Sequence, residues 1–176
     1  MDIQNIFVVG AGLMGSGIAQ TALQSGYTVT LNDQREEALD RAKAGINSRL
    51  DRLVEKGILT REQRDDCMSR LTTDTRLSAA SNADLVIEAI FEQLAAKSEV
   101  FQALDRICGA QTIFASNTSS ISLTALAAAT NRPEKVVGMH FFSPVPVMRL
   151  LEIVCGLRTS QEVLDTVKDV GKKMGK

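Results

Sequence analysis

The sequence predicts an α/β fold of the doubly wound kind with a mainly parallel sheet, and three observations predict it. Short apolar runs of strand length alternate with longer segments of helical period along the 176 residues. The first run, residues 6–9, stops on a glycine cluster, Gly10-Ala11-Gly12-Leu13-Met14-Gly15, that opens the next helical segment. The second run closes on Asn32 and Asp33, an acidic residue placed where a strand gives way to a loop.

Taken in order, residues 6–9 read as a buried strand, and 15 to about 25 as a helix that ends at Gly26, a suitable C-terminal stop. Residues 28–31 form the second strand. Such a βαβ unit is right-handed and presents its ligand at the carboxyl ends of the strands. Residues 35–56 carry Leu39, Ala42, Ile46, Leu50 and Leu53 three or four apart, the stripe of one long amphipathic helix. Gly57 ends it. Thr60-Arg61-Glu62-Gln63 has the form of a capping box and starts a second helix through about residue 71. A plain doubly wound fold has one compact crossover here, so this helical hairpin, about 35–71, is expected to project from the sheet and reach a long substrate. Further strands are expected at 85–89, 112–115, 136–139 and 150–154, with helices around 92–107, 122–130 and 160–174. Residues 1–176 therefore read as one domain, without internal repeat or low-complexity linker.

A net charge of -1 gives no electrostatic footprint for nucleic acid or an anionic membrane, and neither is expected as a partner. Cys67, Cys108 and Cys155 are odd in number and widely spaced, which fits neither a disulfide frame nor a metal site. The N-terminus lacks a basic region followed by a long apolar run, and no stretch is long enough to span a bilayer. The expected location is the cytoplasm.

In the glycine cluster each glycine has its own task. Gly10 permits the tight turn, Gly12 lets backbone approach a pyrophosphate, and Gly15 lets helix and strand pack closely, with Leu13 and Met14 between them. The free N–H groups of the helix N-terminus then face the phosphates. Preceded by a strand and answered by Asp33, the motif is that of a Rossmann-type dinucleotide site, whereas alone it would mark only a turn. Asp33 would accept from the adenosine ribose hydroxyls and repel a 2′-phosphate, which favours NAD over NADP. Arg35, close by, pulls the other way.

His140 is the only histidine, and it falls where a strand ends and an apolar, proline-bearing loop begins. Interconverting an alcohol and a ketone moves a proton on oxygen, and imidazole titrates near the working pH. Glu152, on the following strand, is of the type that orients and charge-stabilises an imidazole. The Ser116-Asn117-Thr118-Ser119-Ser120 segment follows another strand end and is in position to reach the same crevice. Each has a plainer reading: a core histidine satisfied by backbone, a surface carboxylate, and serines (Ser120, Ser122) that cap the next helix. A hydrolase triad is disfavoured, because no GxSxG elbow surrounds the serines.

The segments GAGLMGSGIAQ, LVIEAIFEQLAAK, IFASNTSSIS and GMHFFSPVPVMRLLEIV resemble, in this order, the L-3-hydroxyacyl-CoA dehydrogenases, and the bacterial 3-hydroxybutyryl-CoA dehydrogenases most closely. The resemblance covers essentially the whole chain. It implies NAD-dependent, reversible oxidation of a short (S)-3-hydroxyacyl-CoA to the 3-ketoacyl-CoA. It further implies His140 as base paired with Glu152, Ser119 bonded to the substrate oxygen, and Asn117 lining the nicotinamide and substrate site. Glu92 and Lys97 would contact the cofactor, and Lys56 on the hairpin would help hold the CoA moiety. Arg49, Arg52 and Lys56 share one helical stripe suited to CoA phosphates, although with Asp51 and Glu55 interspersed the residues by themselves read better as a solvated face. Ser143 stands where the family usually has Asn. The resemblance also implies a helical C-terminal domain that completes the cleft and forms a homodimer, and this domain is not in the sequence. Two alternatives therefore stand: a cofactor-binding fragment with little catalysis, and a dehydrogenase of a free hydroxy acid, which the His140/Glu152 pairing argues against.

Overall fold

Successive residues of the first strand feed two different cores. Ile6 and Val8 join one apolar cluster and Phe7 and Val9 the other, which is why the run is continuously apolar. The computed structural model describes residues 1–176. In chain order it contains β1 (Asn5–Val9), α1 (Leu13–Gln24), β2 (Thr28–Asn32), α2 (Glu36–Glu55), α3 (Arg61–Ser69), β3 (Leu71–Asp74), β4 (Leu85–Glu88), α4 (Leu94–Ile107), β5 (Ile113–Ser116), α5 (Leu123–Ala127), β6 (Val136–Phe141), β7 (Leu151–Cys155) and α6 (Gln161–Lys173).

These strands make one seven-stranded sheet in the order β3-β2-β1-β4-β5-β6-β7. Its first six members are parallel, and β7 returns antiparallel to β6. The chain starts at the centre, winds outward to β3, then crosses back past β1 to build the other half. Helices α1, α2 and α6 cover one face together with Val137, Met139 and Phe141 of β6. Helices α4 and α5 cover the other with Val86 and Phe114. The doubly wound, Rossmann-type expectation holds.

Two expectations need correction. The second helix of the hairpin does not run to residue 71. Its capping box forms as expected, with the Thr60 side chain accepting from Gln63 N, but α3 ends at Ser69. Leu71 instead begins β3, which pairs with β2 from Val29↔Leu71 to Asn32↔Asp74. This strand is only four residues long, too short for an alternating pattern to declare itself. The hairpin also does not stand off the sheet along its length. Ala38, Leu39, Ala42, Ile46 and Leu50 of α2 are buried in the same cluster as α1. Full burial of side chains such as Ile46 and Leu50 contributes about 1.5–3 kcal/mol each, enough to lay the helix down. The tip, residues 55–58, is fully exposed.

No helix is long and apolar enough to cross a membrane. The three cysteines are unpaired; Cys67 and Cys108 are buried and Cys155 is exposed on β7. Burial pushes the Cys108 thiol up to about 11 and raises that of Cys67 as well. An aromatic disulfide reagent should therefore label one thiol in the native protein, Cys155, and the other two only on unfolding. Labelling of all three at one rate, followed by peptide mapping, would contradict this packing.

Candidate active site

The parallel register lines up the last residues of four strands with a residue inside a fifth. Asn32, Val9, Glu88, Ser116 and Gly138 are successive partners across the sheet. Strand β6 continues past this row, so His140 emerges at its edge. Side chains alternate between faces along a strand. Because Val137, Met139 and Phe141 fill the α1/α6 side, His140 lies on the α4/α5 side, the face that also carries Glu88 and Ser116.

Glu152 is the direct cross-strand partner of His140 in the β6–β7 ladder. The two side chains meet with Nδ1 and Oε2 2.8 Å apart. His140 is 20% exposed and Glu152 53%, so the pair sits at the rim rather than inside the core. An ionised Glu152 accepts the Nδ1–H, which leaves Nε2 as the basic nitrogen of a neutral imidazole. The Phe142 ring packs against the imidazole with ring centres 4.5 Å apart.

Asn117 is tied to the same place, because its Oδ1 accepts from Phe141 N at 2.9 Å. Ser119 is exposed, with its amide donating to Glu92 Oε1 at 3.0 Å. Glu92 gathers the whole loop: its Oε1 also accepts from the Thr118 hydroxyl and from Ser120 N. Thus Ser120 belongs to this cluster, and the cap of α5 is Ser122, which accepts from Ala125 N. Burial works to raise the Glu92 carboxyl, but the Thr118 hydroxyl, the Lys97 ammonium and the Ser119 amide outweigh it, leaving the group below its ordinary 4.5.

Lys97 departs from expectation. It is 1% exposed, and its ammonium is already shared among Glu88 Oε1 at 2.6 Å, Glu92 Oε2 at 3.3 Å and the Ile90 carbonyl at 3.3 Å. A group so enclosed reaches the crevice through Glu92 and not by its own contact. Its partner Glu88 was not singled out from the sequence. The signal was there, in the form of one carboxylate ending an otherwise apolar strand, but strand-end acids are common enough to pass unnoticed. Arg49 departs too. Its Nε donates to Gln20 of α1 at 2.5 Å, so it turns inward and leaves Arg52 and Lys56 without the third member of an open cationic stripe. Lys56 is exposed just beyond the end of α2, about 30 Å along a 20-residue helix from its start beside Asp33.

At the end of β1, three strands across the sheet from His140, the glycines fit a dinucleotide. Gly10 has φ +100°, and a Cβ there would stand 2.7 Å from the Ala89 carbonyl. At Gly15 a Cβ would lie 1.7 Å from Gly10 O, so helix and turn touch backbone to backbone. A Cβ on Gly12 would meet nothing within 4 Å; that glycine faces open space, where a pyrophosphate would come down on the α1 N-terminus. Leu13 beside it is 75% exposed. Met14 is half-buried. A cleft of about 510 Å³ opens here, lined by Gly10, Gly12, Asp33, Arg35, Leu77 and Ile90 among others. Asp33 Oδ2 accepts from Ala11 N at 3.0 Å and Oδ1 from Arg35 N at 3.1 Å, which holds the carboxylate at the mouth of that cleft.

Fold and site together define a dinucleotide-binding α/β domain with a histidine–carboxylate pair beside the cofactor crevice. The family model for the 3-hydroxyacyl-CoA dehydrogenase NAD binding domain matches residues 5–176. A probable 3-hydroxybutyryl-CoA dehydrogenase of Bacillus subtilis is 48% identical over the whole of this chain, which spans 61% of that protein. The mitochondrial hydroxyacyl-coenzyme A dehydrogenase of Sus scrofa is 43% identical over 99% of the chain and 57% of its own length. The crystal structure of 3-hydroxybutyryl-CoA dehydrogenase from Escherichia coli superposes with a TM-score of 0.98 at 44% identity, over 100% of this chain and 37% of that one. The chain belongs to the 3-hydroxyacyl-CoA dehydrogenase family, as its NAD-binding domain, and spans about three fifths or less of these relatives.

Two measurements test the geometry. Gly15→Ala should prevent stable folding, whereas Gly12→Ala should leave the melting temperature unchanged yet weaken NADH binding about tenfold or more, because backbone must approach the pyrophosphate there. Unchanged NADH affinity in Gly12→Ala would count against the site. The second concerns Glu92. Its folded-state value is depressed, so its ionised form contributes stability above the unfolded value, and that contribution fades as pH falls through the folded one. Glu92→Gln should melt below wild type at neutral pH, and the gap should close in acid; an equal gap at both would show the reading to be wrong.

Proposed function

We propose that this domain is the cofactor-binding and proton-transferring half of an enzyme that oxidises (S)-3-hydroxyacyl-CoA thioesters of short chain, such as 3-hydroxybutyryl-CoA, reversibly to the 3-ketoacyl-CoA. The observation that carries the reading is the 2.8 Å contact of His140 Nδ1 with Glu152 just beyond the row of strand ends. NAD, when bound, supplies the two-electron acceptor. His140 Nε2 takes the proton of the 3-hydroxyl. Glu152 holds the tautomer that makes this possible and stabilises the imidazolium that results. Ser119, exposed beside the Glu92 cluster, donates to the substrate oxygen, and Asn117 keeps the end of β6 fixed against the loop. Asp33 accepts from the adenosine ribose, which favours NAD over its 2′-phosphorylated form. Lys56 and the hairpin tip, a helix length away, suit the far end of a substrate as long as a CoA thioester. Three unpaired thiols support a reducing compartment, in keeping with the cytoplasm.

A second reading, a cofactor-holding module with little turnover of its own, is favoured by the exposed apolar residues Val147, Met148, Leu150, Val154 and Leu157 next to the catalytic pair. One assay separates the two. NADH oxidation by acetoacetyl-CoA is followed with the chain alone and with the remaining part of the Bacillus subtilis relative supplied in trans. Turnover in either arm that falls by about 10²–10⁴ in His140→Ala, with NADH affinity unchanged, is the expected result. NADH binding without turnover in both arms supports the module. Full turnover in His140→Ala rules the proposed base out.

A further inference from the structure

Glu88 and Lys97 are buried together beneath the crevice, 0% and 1% exposed, at the junction of its two walls. Buried ions persist where their whole hydrogen-bonding capacity is met, since desolvation otherwise outweighs attraction. Here it is met from both sides. Glu88 Oε1 accepts from Lys97 Nζ at 2.6 Å and from Ile90 N at 2.7 Å, and Ile90 lines the cofactor cleft. Oε2 accepts from the Ser116 hydroxyl at 2.6 Å, whose oxygen in turn accepts from Thr118 N at 3.2 Å. The Glu88 carbonyl also accepts from Asn117 N at 2.8 Å. Lys97 passes the connection on to Glu92, and Glu92 closes the circle on Thr118, Ser119 and Ser120. One carboxylate thus fastens the turn after β4 and the loop after β5 to each other.

We propose that Glu88 is a positioning residue for the nicotinamide end of the cofactor site. By fixing Lys97 and Ser116 it holds Glu92 and the 117–120 loop in the arrangement that meets the cofactor and presents Ser119. The inference rests on the cofactor reading above, and goes beyond it in assigning this task to a group that touches neither cofactor nor substrate. Neutralising Glu88 leaves its shape but removes the charge that orients Lys97 and turns one of its two acceptor oxygens into a donor. Glu92 then loses its anchor.

The test uses amide hydrogen exchange at Ser119 and Ser120, whose amides bond to Glu92 and not to Glu88, together with NADH fluorescence titration. In Glu88→Gln these two amides should exchange about tenfold faster or more relative to the core amides of β1 and β4, and the NADH dissociation constant should rise about tenfold, the scale of losing a hydrogen bond to a charged group. Glu88→Gln/Lys97→Met leaves no unpaired buried charge and should melt near wild type. It should nevertheless keep the fast exchange and the weak binding. A merely structural Glu88 predicts the opposite, with exchange and affinity recovering together with stability. If Glu88→Gln does not fold, Ser116→Ala decides in its place, since it removes the hydroxyl held by Glu88 Oε2 while leaving the Lys97–Glu92 contact: faster exchange at Ser119 and Ser120 supports the proposal and wild-type exchange overturns it. Wild-type exchange at Ser119 and Ser120 in a folded variant overturns the proposal. Failure of the wild type to bind NADH overturns the cofactor reading instead, while the exchange rates still decide whether Glu88 holds the loop.

Discussion

Helix α1 meets the turn out of β1 with no room for a methyl group. That contact between Gly15 and the Gly10 carbonyl sets the helix close against the sheet and aims its first amides over the strand ends. Everything else in the crevice is measured from there. Gly10 presses in turn on the carbonyl of Ala89, so the turn after β4 is located by the same glycines. From that turn Glu88, Lys97 and Glu92 carry the connection to the loop after β5, and Asn117 carries it to the end of β6. The cofactor loop and the histidine lie at strands three places apart in the sheet, yet are joined by an unbroken series of contacts.

The electrostatics of this arrangement are graded by depth. At the floor, the Glu88–Lys97 pair is shut away from water, so its charges act on neighbours and not on ligands. At mid-height Glu92 is 39% exposed and kept ionised by three kinds of donor, which makes it a rigid acceptor facing the crevice. At the rim His140 and Glu152 remain in contact with solvent, 20% and 53% exposed. Enclosed charge sits below and solvent-facing charge above.

Much of this was legible in the sequence, for identifiable reasons. The glycine motif, Asp33 and the βαβ unit are encoded within thirty or so adjacent residues, where period and turn chemistry speak directly. The capping box at Thr60–Gln63 is equally local, and formed as expected. The His140–Glu152 contact was legible only as two residue types near strand ends; the ladder register that joins them is a property of the sheet. What stayed hidden was decided by packing. Strand β3 is too short to announce itself, α2 lies down because its stripe finds α1, and Lys97 disappears from the surface because a carboxylate waits for it beneath the strand ends. A lysine in a helical pattern ordinarily reads as solvent-facing, and nothing in its own neighbourhood says otherwise.

The antiparallel return of β7 has a consequence for variation. Because imidazole and carboxylate are opposite residues in one ladder, their separation is fixed by backbone hydrogen bonding across the two strands. Within the connecting segment Val145 is buried in the core and Phe142 packs on the imidazole, but the exposed residues 146–150 can lengthen, shorten or change composition without altering that separation, whereas a one-residue slip of β7 would send the carboxylate to the opposite side of the sheet. Insertions are thus tolerated in the exposed stretch and forbidden in the strand behind it, which frees one part of the chain to diversify while the paired imidazole and carboxylate stay in place.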